Sequence, residues 1–181
     1  MIDRAILLAK RQWENLRFYF EMCGDIGDFD FDDLKNCRWF SEQECHEVFI
    51  ANIFYMDKKL PQYEYATPEA LNVFTVLASK AAEKLGLKEE LALAFGMGYG
   101  FVQTGLFSYC RLEPKQILFH KMFYPLGLIC SRDFDPSLVK KKLKIVYERF
   151  KSWQDNPQLY LQDLKQFQNI EEVWKEWENA N

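Results

Sequence analysis

The sequence predicts an all-α protein, and three observations carry that prediction. Apolar residues recur at steps of three and four through segment after segment, the spacing that puts them on one face of a helix. Helix starts are written repeatedly in one form, a capping side chain followed by proline, at Thr67-Pro68, Asp135-Pro136 and Asn156-Pro157. No segment sustains the one-on, one-off alternation of a half-buried strand between turn signals. Together they describe one domain over residues 1–181, a bundle of about seven or eight helices around an apolar helix over about 88–109.

The elements follow in order. From Ile2 to Met22, the residues Ile2, Ala5, Ile6, Ala9, Trp13, Leu16 and Phe20 form an apolar stripe, with Lys10, Arg11, Glu14 and Arg17 on other faces. Gly24 suits the end of that helix, and Asp25 to Asp33 reads as an acidic loop. Ser41 with Glu44 three residues on is a capping box, which starts a second helix running to about Lys59, before Pro61. Thr67-Pro68-Glu69 combines a capping hydroxyl, a proline in the first turn and an acid at the positive helix end. The helix it opens buries Ala70, Leu71, Phe74, Leu77, Ala78, Ala81 and Leu85 and stops at Gly86.

The next helix, from about Lys88 to Tyr109, is apolar on every face, the pattern of an element enclosed by its neighbours. Glu113-Pro114 begins another through Ile117, Leu118, Phe119 and Phe123, and Pro125 kinks or ends it. After Asp135-Pro136 the stripe is Leu138, Val139, Leu143, Val146, Tyr147, Phe150 and Trp153. After Asn156-Pro157 it is Leu159, Tyr160, Leu164 and Phe167, and a short final helix carries Val173, Trp174 and Trp177.

Composition narrows the class of protein. A chain of 181 residues, 49% hydrophobic and 28% charged, can bury a core without disulfides or metal. The aromatic share, 17%, is high enough to predict that some rings lie at the surface, where large apolar area marks interaction sites. A net charge of −4 provides no field that would gather the protein onto a phosphate backbone, so nucleic acid is not an expected partner. Five cysteines, at 23, 37, 45, 110 and 130, form an odd set without CxxC, and Asp3 and Arg4 break any signal-peptide pattern. Free thiols and a cytoplasmic location are expected. The uncharged run from Leu91 to Cys110 reaches the roughly 20 residues of a membrane span. Gln103, Thr104, Ser108 and its glycines dilute it, so a buried helix is expected and no span.

Enzymatic motifs are scarce. Only His46 and His120 are present, which excludes a histidine-rich metal centre. Glu42 stands four residues before His46 rather than the three of a di-iron helix, and Cys37, Cys45 and His46 match no zinc spacing, so neither a metal nor a cofactor is expected. A nucleophilic Cys110 or Cys130 with either histidine remains open in principle, but cysteine in apolar surroundings is ordinarily inert because burial raises its pKa. GxSxG, HExxH and the P-loop lysine motif do not occur. Gly96, Gly98 and Gly100 lack the strand and helix start of a phosphate loop, so close helix packing is the favoured reading, with a ligand cavity as the alternative. Lys140, Lys141, Lys142 and Lys144 read as the solvated face of a helix.

The most distinctive polar feature is Asp25, Asp28, Asp30, Asp32 and Asp33, interleaved with Phe29 and Phe31. Its alternation matches the opening of a calcium loop, but Asp33 stands where that loop needs glycine and Trp39 where it needs glutamate. Carboxylates alternating with rings can steer and anchor a basic protein surface, and the bland counterpart is a solvated loop whose phenylalanines dock into their own core. The sequence therefore favours binding over catalysis. The expected protein is a cytosolic, non-enzymatic helical binder, with an inhibitor or immunity-type protein as one form of it, and with Asp25, Asp28, Phe29, Asp30, Phe31, Asp32 and Asp33 at its contact surface. The alternatives are a bundle holding an apolar ligand near Gly96, Gly100, Phe119, His120 and Phe123, and a cysteine-dependent enzyme. Homo-oligomerisation stays open, because an exposed ring-rich surface can be covered by a second copy.

Overall fold

A computed structural model describes residues 2–19, 29–37, 67–104 and 136–166, together with 118, 121–123, 169, 172, 174, 175 and 179. Its helices are α1 (Ile2–Tyr19), a 3₁₀ helix (Phe31–Asn36), α2 (Pro68–Lys84), α3 (Glu89–Thr104), α4 (Pro136–Asp155) and α5 (Pro157–Lys165). Residues 118 and 121–123 are helical as well, and no strand occurs among the described residues. The fold is all-α. The helix expected over 41–59 lies outside the described residues.

The caps read from sequence operate as local chemistry demands. The Thr67 hydroxyl accepts from the Ala70 amide at 3.1 Å, and Asn156 Oδ1 accepts from the Gln158 amide at 3.2 Å. Each satisfies one of the amides that a helix start leaves without an intrahelical acceptor. At the far end of α2 the chain turns at Gly86, whose φ of 99° lies in the left-handed region that a side chain disfavours.

α2 and α3 form a tightly packed antiparallel pair, and their contact face explains the glycines. A Cβ on Gly96 would overlap Ser79 Oγ and the Thr75 carbonyl oxygen, and one on Gly100 would stand 2.5 Å from Thr75 Oγ1. Gly98 faces elsewhere, where a Cβ would strike the ring of Phe123. The glycine pattern is thus a packing device, in which each lost methyl lets backbone or ring approach. Thr75 and Ser79 are fully buried, and their hydroxyls have no hydrogen-bond partner among the described residues.

α2 is the more enclosed of the pair. Every residue from Ala70 to Ser79 is buried, whereas Leu91, Leu93, Ala94 and Met97 of α3 are only partly buried. α2 therefore shares the interior with α3, the apolar helix that the sequence places at the centre. α1 packs on α2 and α4, and α4 also packs on α3 and α5.

Among the described side chains no aromatic residue is exposed, and the remaining rings lie outside the described side chains. The exposed large apolar residues among the described side chains are Leu7, Leu138 and Leu161, singly placed on three helices. The reason is a connected aromatic interior. Phe95 of α3 lies 5.6 Å from Phe123 and 5.6 Å from Phe150, with interplanar angles of 68° and 89°, and Phe150 continues to Trp153 at 4.7 Å. The two edge-to-face contacts of Phe95 add about 1 kcal/mol each to the burial of the rings themselves.

Polar side chains of α4 fasten the turn between α2 and α3. Tyr147 Oη donates to the Leu85 carbonyl at 2.5 Å, Lys151 Nζ and Gln154 Nε2 each donate to the Gly86 carbonyl at 3.2 Å, and Gln154 Oε1 accepts from the Lys88 amide at 2.7 Å. Carbonyls and an amide left over at two helix ends thus find partners on a third helix.

α5 is held by charge. Arg149 donates from Nε to Asp163 Oδ2 and from Nη2 to Oδ1, both at 2.6 Å, and Trp153 Nε1 donates to Oδ2 at 2.7 Å. Asp163 is 2% exposed, and its carboxylate is tolerated inside because both oxygens accept hydrogen bonds, two of them from a cation.

Two stability outcomes follow from this packing. Gly96→Ala is expected to lower stability by about 2 kcal/mol, overpacking of about 3 being partly offset by about 1 of helix propensity, whereas Thr75→Val removes an unpartnered hydroxyl and is expected to raise it by about 1 kcal/mol. Urea denaturation of the two variants should move the midpoint in opposite directions. Asp163→Ala removes the acceptor of three hydrogen bonds from Arg149 and Trp153 and is expected to cost about 3 kcal/mol, read as a lower thermal midpoint with near-normal helical circular dichroism at low temperature.

Candidate functional site

The segment 29–37 is built around two anchors and a cap. Phe29 and Phe31 are half-buried against the core, their ring centroids 4.9 and 6.4 Å from Trp13 of α1 and 5.0 Å from one another. Leu34, between them and Cys37, is completely buried. Asp30 holds an extended backbone conformation, and its Oδ1 accepts from the Asp32 amide at 2.9 Å, which starts the 3₁₀ helix. The sequence predicts a loop as far as Asp33; a helical turn begins at Phe31 instead. Six residues are too few to display helical periodicity, but an aspartate ahead of the turn is the capping residue such a start prefers.

The carboxylates face outward. Asp30 and Asp33 are exposed, and the Asp32 side chain is 82% exposed while pairing with Lys35 Nζ at 2.9 Å. The hydrogen bond from Lys35, reinforced by its charge, holds the Asp32 carboxyl below the usual range and raises the lysine correspondingly. Lys10 Nζ lies 5.5 Å from the centre of the Phe31 ring, within cation–π range. The segment therefore carries three carboxylates with one of them engaged by a lysine, on a backbone clamped from below by two rings. Asp25 and Asp28 lie outside the described residues.

Cys37 closes the turn. Its amide donates to the Leu34 carbonyl at 3.3 Å and its Sγ to the Asp33 carbonyl at 3.3 Å. Burial raises its thiol pKa, and the nearby Asp33 charge adds to the effect. Both influences disfavour the thiolate, the form a nucleophile needs. Cys45, Cys110, Cys130, His46 and His120 lie outside the described residues. Among the described residues no group of three His, Cys, Asp or Glu side chains could hold a metal.

Around the second candidate site, the structure brings Phe123 onto Gly98 and puts Gly96 and Gly100 against α2. The space beside these glycines is filled by the protein's own atoms. Phe119 and His120 lie outside the described residues. On α4, Lys141 and Lys144 are exposed, as expected of a solvated face, while Lys142 Nζ lies 4.9 Å over the Trp174 ring.

Sequence reasoning missed Asp163. The signal was present: position 163 falls within the stripe formed by Leu159, Tyr160 and Leu164, where an acid is out of place unless it is paired. Its three hydrogen bonds leave it a structural tie between α4 and α5.

No helix among the described residues is long and apolar enough to cross a membrane. No family model, curated protein or solved structure matches the chain.

The depressed acidity of Cys37 has a direct readout. Site-resolved alkylation followed by mass spectrometry should find Cys37 modified more slowly than a free thiol at pH 7.5, with its rate rising at higher pH than that of a free thiol. Rapid labelling at neutral pH would contradict the burial described above.

Proposed function

We propose that this chain is a non-enzymatic, cytoplasmic protein-binding scaffold whose segment 29–37 offers carboxylates to the basic surface of another protein. One observation carries the reading: Phe29 and Phe31 dock on Trp13 while Asp30, Asp32 and Asp33 stay exposed. A charged segment already held in place loses little conformational freedom when a partner arrives, so more of its interaction energy appears as affinity. The rings act as ties to the core, and recognition rests on charge. Fields of this kind speed encounter and choose among partners more than they add raw affinity. An acidic face on a helical body suits an inhibitor that covers a basic surface, and the net charge of −4 supports that direction of pairing.

The test uses substitutions that spare the fold. Asparagine caps a helix as well as aspartate does, so Asp28→Asn, Asp30→Asn and Asp33→Asn together remove charge while the Asp30 cap persists. The wild-type chain, immobilised in native lysate at low salt, is expected to capture a basic protein that is lost both in the triple variant and at high salt. Capture that is unchanged in the variant would remove the segment from recognition.

A further inference from the structure

We draw no further inference here: the strongest candidate, the buried seam where the Thr75 and Ser79 hydroxyls of α2 face Gly100 and Gly96 of α3, is a small-residue stripe whose own side chains and backbone already fill the space a ligand would need.

Discussion

The separation of α2 and α3 is the constraint on which the rest of the molecule depends. Gly96 and Gly100 present no Cβ, and Thr75 and Ser79 fill the positions those atoms would have taken. With α1 and the 3₁₀ helix also packed on α2, every residue from Ala70 to Ser79 is buried, and the Thr75 and Ser79 hydroxyls on the close α3 face have no partner among the described residues. A buried hydroxyl without a partner costs about 1–3 kcal/mol, and dense contact between helices has to offset it. The arrangement is one in which packing outweighs hydrogen bonding at a specific place.

Once that pair is formed, other elements can be positioned against it. Phe95 extends from α3 toward Phe123 and Phe150, so the aromatic interior begins on the face of α3 that does not meet α2. α4 contributes to both parts. Its apolar stripe supplies Phe150 and Trp153 to the ring cluster, and its Tyr147, Lys151 and Gln154 reach the turn at Leu85 to Lys88. Residues more than sixty positions apart thereby complete the helix ends of α2 and α3. α5 is tied in turn to α4 through the hydrogen-bonded carboxylate of Asp163.

The acidic segment rests on α1, with Trp13 as its seat. Because Phe29 and Phe31 face inward, the alternation of ring and carboxylate seen in the sequence resolves into two functions on two sides. Apolar side chains fasten the segment and charged ones meet solvent. This division agrees with the absence of exposed rings among the described residues, and it moves the weight of the binding proposal from aromatic anchors to electrostatics. Lys35 and Lys10 temper the negative charge locally, which leaves Asp30 and Asp33 as its main carriers.

Much of the helical architecture was legible in the chain because its causes are local. Thr67 and Asn156 cap the helices they were expected to cap, Gly86 takes the left-handed turn, and Leu143, Val146, Tyr147, Phe150 and Trp153 are buried as their spacing implies, whereas Leu138 at the start of the same stripe is exposed. These features depend on neighbours within about a turn, and a sequence displays such neighbours directly. What only the tertiary structure decided depends on distant partners. That Gly96 and Gly100 meet Thr75 and Ser79 while Gly98 meets Phe123, that Phe29 and Phe31 turn toward Trp13, and that Asp163 is neutralised by Arg149 are choices among many compatible pairings. Spacing specifies which face a residue occupies. Which surface that face meets is settled by packing the whole chain at once, since each contact competes with all the others for the same interior.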